Sequence, residues 1–170
     1  MKKITVIQSS LREGSNTAIV CRAFAEKCDA LGIHVHYIDL KNVKMDFCDA
    51  RPLDGYSKEV QDVYKIMENS DAVVFGMPVY QYTMSGVLKN FIDIAGGSLA
   101  GKSVGVIVNS GGPQCYMASQ DLFNALQFEY ATTNIMPTPF TWSMDFKDGQ
   151  IVNDKVMDKL DELAQNILVL

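Results

Sequence analysis

Residues 9–17 read S-S-L-R-E-G-S-N-T. They follow an apolar, strand-like run at Ile4, Val6 and Ile7 and open an amphipathic helical pattern. A helix start leaves backbone N–H groups without partners and carries a partial positive charge. Hydroxyls, one guanidinium and free N–H groups gathered in a single turn suit a phosphate monoester. A plain capped helix start, with Ser15 as N-cap and Arg12 solvated, accounts for Ser15 and Asn16. It leaves Arg12 and the two earlier serines without a purpose.

Working outward, the strand–turn–helix unit recurs. Ile4 to Gln8 reads as the first strand. Thr17 to Leu31 carries a helical stripe of Val20, Phe24, Cys28 and Leu31, closed by Gly32. Ile33 to Leu40 is a second strand, and Ser57 to Asn69 a helix with Val60, Tyr64 and Met67 on one side. Ala72 to Phe75 is fully apolar, as a strand buried on both faces must be. Val87, Leu88, Phe91 and Ile92 mark a helix, Val104 to Val108 a central strand and Gln114 to Tyr130 a long helix. Thr132 to Met136 is the fifth strand, stopped by Pro137, and Lys155 to Leu168 the last helix. Parallel strands need crossovers, and helices supply them on both faces. The expectation is a doubly wound α/β sandwich forming a single domain over residues 1–170. Residues 140–152, F-T-W-S-M-D-F-K-D-G-Q-I-V, break the alternation. They read as a β-hairpin or extended arm turning at Asp148-Gly149, or as an ordinary long connection. In the first case the aromatic strip at 140–146 has a second subunit to dock on.

The chain has 170 residues, enough to bury about 70 % of the unfolded surface. Apolar residues make up 48 %, which excludes disorder, and the net charge of −5 argues against a nucleic-acid footprint. Cysteines 21, 28, 48 and 115 show no C-x-x-C spacing, and two histidines are too few for a closed zinc site. Reduced, mostly buried thiols point to the cytoplasm. The opening M-K-K-I-T-V-I-Q is too short an apolar run for a signal peptide, and no stretch reaches membrane-spanning length.

Open α/β sheets bind ligands beyond the carboxyl ends of their strands. Two further loops therefore belong with residues 9–17. Gly76 to Asp93 begins G-M-P-V-Y-Q-Y, where Pro78 fixes the backbone and Tyr80 and Tyr82 border or stack on a flat heterocycle. Asn109 to Tyr116 reads N-S-G-G-P-Q-C-Y, where Gly111-Gly112 admits close approach to a ring edge or makes a helix entry needing unusual torsions.

With S-S-L-R-E-G-S-N-T at 9–17, P-V-Y at 78–80, S-G-V-L-K-N-F-I-D at 85–93 and L-A-G-K-S-V-G-V-I-V-N-S-G-G at 99–112, the chain resembles the NAD(P)H-dependent FMN reductase family of flavodoxin-like proteins. It is also similar to the arm of that group containing iron–sulfur flavoproteins. The resemblance implies a five-stranded parallel sheet in the order 2-1-3-4-5. It implies that Ser10, Arg12, Ser15, Asn16 and Thr17 hold the FMN phosphate, that Pro78, Val79 and Tyr80 line the isoalloxazine, and that Ser110, Gly111 and Gly112 approach its pyrimidine side. Ser9, Gln81, Asn109 and Tyr116 complete the candidate cofactor-binding set. The implied activity is hydride transfer from NAD(P)H, the co-substrate, to flavin and then to a flavin, quinone, azo or metal acceptor. The flavin carries the chemistry, so no catalytic acid or base is named. Backbone N–H groups of the Gly111-Gly112 loop would stabilise negative charge developing on the ring. A homodimer or homotetramer follows from the same resemblance. The alternative activity is a flavodoxin-type carrier that binds FMN without turnover, and a second is a relative that has lost FMN. Ser9 stands where the family commonly has glycine, and Cys48 stands alone where the iron–sulfur relatives carry a cluster-binding set, so no such cluster is expected.

Gly96 to Ser103, G-G-S-L-A-G-K-S, formally matches the P-loop pattern. A P-loop must follow a strand and open a helix; here the order is reversed, which places Lys102 on the edge opposite the ligand loops. His34 and His36 alternate on one strand face and read as packing or edge residues, with a metal pair as the other possibility.

Overall fold

The computed structural model describes all residues 1–170. In chain order the elements are β1 (Lys3–Gln8), α1 (Asn16–Ala30), β2 (His34–Asp39), α2 (Lys58–Glu68), β3 (Ala72–Tyr80), β4 (Thr83–Met84) and α3 (Gly86–Ala95). Then come β5 (Ser103–Ser110), α4 (Gln120–Tyr130), β6 (Thr133–Asn134), β7 (Phe140–Trp142), β8 (Phe146–Lys147), β9 (Gln150–Ile151) and α5 (Asp154–Leu168). The main sheet runs β2-β1-β3-β5-β6, with β7 also on β5 and the short antiparallel β4 on β3. Its five principal positions thus follow the expected 2-1-3-4-5 order, and helices cover both faces.

The strands alternate between two cores. Ile7, Val73, Phe75, Met77, Val104, Val106 and Val108 face α2, α3 and α4. Ile4, Val6, Ala72, Val74 and Ile107 face α1 and α5. Residues 72–78 are buried without a break, which is why that run shows no polar alternation. On the α1 side the contact is close because of Gly76. A Cβ there would lie 2.1 Å from Cys21 Sγ and 3.3 Å from Thr17 Cγ2. The helix starts follow sequence chemistry: Ser15, Ser57, Ser85 and Asn153 accept from the N–H of Ala18, Val60, Leu88 and Lys155.

Two boundaries differ from expectation. The fifth strand does not stop at Pro137. Only Thr133–Asn134 pair with Ser103–Val104, the chain breaks at Pro137 and Pro139, and Phe140–Trp142 rejoin β5 opposite Val108–Ser110. The ladder bridges the gap: Ile135 N donates to Val104 O and Val108 N to Pro139 O, each at 2.8 Å. Proline lacks only the donor, and Pro139 stands just ahead of the resumed pairing, where its carbonyl still accepts from Val108 N. Residues 140–142 are therefore sheet rather than arm. Only Phe146–Lys147 and Gln150–Ile151 form the hairpin around Asp148 and Gly149. Phe146 turns inward onto the α1/α5 core while Met144 stays exposed, so 140–146 present no single aromatic strip. The fourth helix also starts late. Residues 113–115 form a 3-10 turn, tight bonds from Ala118 N to Cys115 O and Gln120 N to Met117 O follow, and α-helix begins only at Gln120.

The P-loop match has a structural use. Lys102 Nζ donates to Glu68 O and Ser70 O, both at 2.8 Å, at the carboxyl end of α2. His34 and His36 pack edge to face, 4.6 Å between ring centres. Neighbouring His34 and Lys3 act after burial itself in holding the His36 pKa below its ordinary value.

Candidate functional site

The carboxyl ends of β1, β3, β5 and β7 lie side by side, with Gln8 beside Gly76, Pro78 beside Asn109 and Ser110 beside Trp142. The loops leaving these ends enclose a cleft of about 290 Å³. It brings together Ser10, Arg12, Ser15, Asn16 and Thr17 from the first loop, Pro78, Val79 and Tyr80 from the second, and Asn109, Ser110 and Gly111 from the third.

The first loop is braced from below. Gln8 is buried and its side-chain amide grips Ser10 from both sides: Oε1 accepts from Ser10 N, and Nε2 donates to Ser10 O at 2.9 Å. The same Nε2 donates to Asp39 Oδ1 at 3.0 Å, which fixes the amide. Gly14 takes the left-handed backbone, φ +61, that turns the chain into α1. Ser15 then caps the helix, so the capping role and the cleft-lining role fall on one residue. The N–H groups of Asn16 and Thr17 donate to nothing in the chain. The first turn of α1 carries no acid, and Arg12 is exposed with no carboxylate partner, whereas neighbouring Glu13 is paired with Lys41. The site is cationic by construction and its positive groups are uncommitted.

The second loop is a tight hairpin. Val79 pairs with Met84 and Tyr80 with Thr83, and the two residues between, Gln81 and Tyr82, both have positive φ (52° and 65°). Such a pair defines a type I′ turn, which glycine or asparagine usually fills. Holding ordinary residues there costs about 1 kcal/mol or more each and is characteristic of ligand clamps. Tyr80 and Tyr82 are exposed beside the cleft. In the third loop neither Gly111 nor Gly112 has a positive φ, so the glycines are not torsional necessities. A Cβ on either would meet nothing within 4 Å. What their bareness leaves is room for something outside the chain.

Four expected residues stand apart from the cleft. Ser9 points inward: its hydroxyl donates to Gly76 O at 2.7 Å and ties the β1 loop to β3, so it is a strut. Gln81 is at the hairpin tip, Gly112 lies behind Gly111 with its carbonyl accepting from Ser110 Oγ, and Tyr116 is exposed beyond the turn at 113–115. One lining residue was not anticipated. Ser143 closes the cleft from the end of β7 and donates to Gly111 O at 2.8 Å. The rule that ligands gather at strand carboxyl ends finds it once the fifth strand is carried past Pro137. Cys21, beneath Gly76, has its thiol pushed well up by burial and then by Asp39, and Cys28 is pushed up to about 12 by burial and Asp29. Both are packing groups, not nucleophiles.

The comparisons speak to family and fold. The model of the family described as NADPH-dependent FMN reductase matches residues 2–147. An NAD(P)H-dependent FAD/FMN reductase of Geobacillus thermodenitrificans is 24 % identical over 138 residues, 80 % of this chain and 75 % of that one. The NADH-dependent FMN reductase SfnF of Pseudomonas putida is 27 % identical over 97 % of this chain and 90 % of its own. The chain spans about half the length, or somewhat less, of the plant quinone oxidoreductases and the archaeal iron–sulfur flavoprotein that it also matches. Among solved structures, the apo form of the NADH:FMN oxidoreductase EmoB superposes with a TM-score of 0.78 at 18 % identity, covering all of this chain and 90 % of that one. At that identity the likeness speaks for the fold.

Proposed function

The chain belongs to the NADPH-dependent FMN reductase family, and from that premise we propose that it is an FMN-dependent NAD(P)H oxidoreductase delivering electrons to a small flavin, quinone or azo acceptor. Relatives named for each of those acceptors support that range. One observation carries the reading. A single cleft holds an unpaired Arg12 and the two unpartnered N–H groups opening α1 at one end, and a bare Gly111 at the other. A charged phosphate tail and a flat ring fit those two ends.

FMN, when bound, would supply the redox chemistry of hydride and two-electron transfer. The chain's own residues bind and orient. Arg12, the hydroxyls of Ser10, Ser15 and Thr17 and the amide of Asn16 hold the phosphate. Pro78, Val79 and Tyr80 border the ring, and Asn109, Ser110 and Gly111 face its polar edge. No carboxylate, histidine or lysine lines the cleft. The reading extends to a homodimer or homotetramer, supported by exposed Phe47, Tyr116, Met117 and Phe128. It also extends to one FMN-binding domain over residues 1–170, supported by the single main sheet, and to a cytoplasmic setting, supported by four free thiols. No helix is long and apolar enough to cross a membrane.

The test is FMN titration into flavin-free protein, followed by NADH and NADPH oxidation with a quinone, an azo dye and free FMN. Saturable uptake of flavin and sustained oxidation with at least one acceptor are expected. Protein that stays colourless refutes the assignment. Flavin uptake with no sustained oxidation makes it a carrier instead.

A further inference from the structure

At the end of β5 one cleft side chain has its orientation dictated from outside the cleft. Asn109 lines the cleft, and Thr141, fully buried, stands beside it on β7. Thr141 Oγ1 lies 3.0 Å from Val108 O and 3.1 Å from the Asn109 amide. A backbone carbonyl only accepts, so the single hydroxyl hydrogen of Thr141 is spent on Val108 O. Toward Asn109 the hydroxyl is then an acceptor, and the end of the amide that meets it is Nδ2. The chain thus decides between the two ends of the amide before any ligand arrives.

That leaves Asn109 Oδ1, to which no group of the chain donates. On its other flank Asn109 is paired with Pro78, which has no N–H to give. The buried side-chain atoms without a partner are Thr132 Oγ1 and Asn134 Oδ1, so Asn109 Oδ1 is not shut inside the protein. It is an open, uncommitted acceptor on a residue that lines the cleft. An acceptor held in one sense calls for a ligand N–H.

The polar edge of a flavin ring carries one N–H, at N3, between two carbonyls. Resting on the FMN reading above, we propose that Asn109 Oδ1 accepts from that N–H, and that Thr141, buried away from the cleft, is the positioning residue that holds the amide in this sense. A flipped amide would set its own NH2 group against the ring N–H, donor against donor. The pair thereby selects rings that carry an N–H at this edge. An analogue without it leaves the Asn109 acceptor unpaired, and a site built around a hydrogen bond rejects such an analogue.

The experiment titrates FMN and its N3-methyl analogue into flavin-free wild type, Thr141→Val, Thr141→Ser and Asn109→Leu. Wild type should prefer FMN by about tenfold, the worth of one such hydrogen bond. Thr141→Val frees the amide to turn, and Asn109→Leu keeps its bulk without its acceptor. Each should cut the preference by about threefold or more, through weaker binding of FMN. Thr141→Ser, which keeps the hydroxyl, should hold the preference within about twofold of wild type. Should Thr141→Val fail to fold, Thr141→Ala is read in its place. A wild-type preference below about threefold overturns the proposal. So does a preference that survives Asn109→Leu, which would mean the methyl is excluded by shape alone. An equal loss of both flavins in Thr141→Val, an unchanged preference there, or a serine variant that behaves like the valine one also overturns it. Wild-type protein that takes up neither flavin sinks the parent reading instead.

Discussion

Gly76→Ala tests whether the seat of the phosphate loop is set by the approach of α1 to the sheet. The added methyl would stand 2.1 Å from Cys21 Sγ, 3.3 Å from Thr17 Cγ2 and 3.5 Å from Ile7 O. Cys21 and Thr17 are buried, and Ile7 O is backbone, so none of them can swing into solvent. Overpacking of this kind costs about 3 kcal/mol. Alanine recovers about 0.5–1 kcal/mol of the entropy that glycine loses on folding in a strand, which leaves a net loss of about 2 kcal/mol. In a chain of this size that corresponds to a melting temperature lower by about 4–8 °C. Cys21→Ala removes the offending sulfur and by itself forfeits about 1 kcal/mol of buried apolar surface. Independent effects would sum to about 3 kcal/mol. If the clash is the cause, the double variant loses no more than about 1 kcal/mol, a coupling of about 2 kcal/mol. Urea unfolding of the flavin-free protein reads all three variants. FMN affinity should fall in the single Gly76 variant and return in the double one, because the first turn of α1 moves with Thr17. A single variant within about 0.5 kcal/mol of wild type, or a double variant that is merely additive, refutes the argument.

Arg12→Ala should weaken FMN binding about thirtyfold, since a charge-assisted hydrogen bond worth about 2 kcal/mol is lost. Because Arg12 has no partner in the chain, the melting temperature of the flavin-free protein should not change; affinity held within about twofold would remove Arg12 from the phosphate site. Lys102→Met should lower stability by about 1–2 kcal/mol through loss of the bonds to Glu68 O and Ser70 O, with FMN affinity unchanged; a fall in affinity would place Lys102 in a binding role. His36 titrates below its ordinary value, so protonation is disfavoured in the fold. Its contribution to stability is complete above the unfolded pKa of about 6.5 and is lost as pH falls through the lower folded value. His34→Ala should raise the His36 pKa, as followed by NMR titration of the ring; an unchanged titration would show that the pair is not coupled.

Much of this molecule was legible because its central strands are buried on both faces and three of its five helices begin at capping serines. An uninterrupted apolar run such as 72–78 has few other homes, and Ser15, Ser57 and Ser85 mark helix starts whatever packs around them. The three ligand loops were legible for a related reason, since each departs from a strand whose end could be read. What failed to show was direction. Ser9 and Ser10 are adjacent and chemically alike, yet successive side chains of an extended chain face opposite ways. Ser10 therefore lines the cleft while Ser9 bonds to Gly76 O. The same bond explains how serine stands where the family commonly has glycine: its hydroxyl ties the turn to β3. The fifth strand was hidden by treating proline as a stop. Proline forbids donation but not acceptance, and it is tolerated just ahead of the point where an edge strand resumes its pairing. Ser143 was lost with it, and the brace on Gly111 as well. The general consequence is that edge strands in α/β folds should be read through their prolines until the hydrogen-bonding side is known. Here that side is set by Val108 N, which donates to Pro139 O and so recruits a proline into the ladder as an acceptor. The residue that follows the resumed strand then falls at the ligand edge by geometry alone.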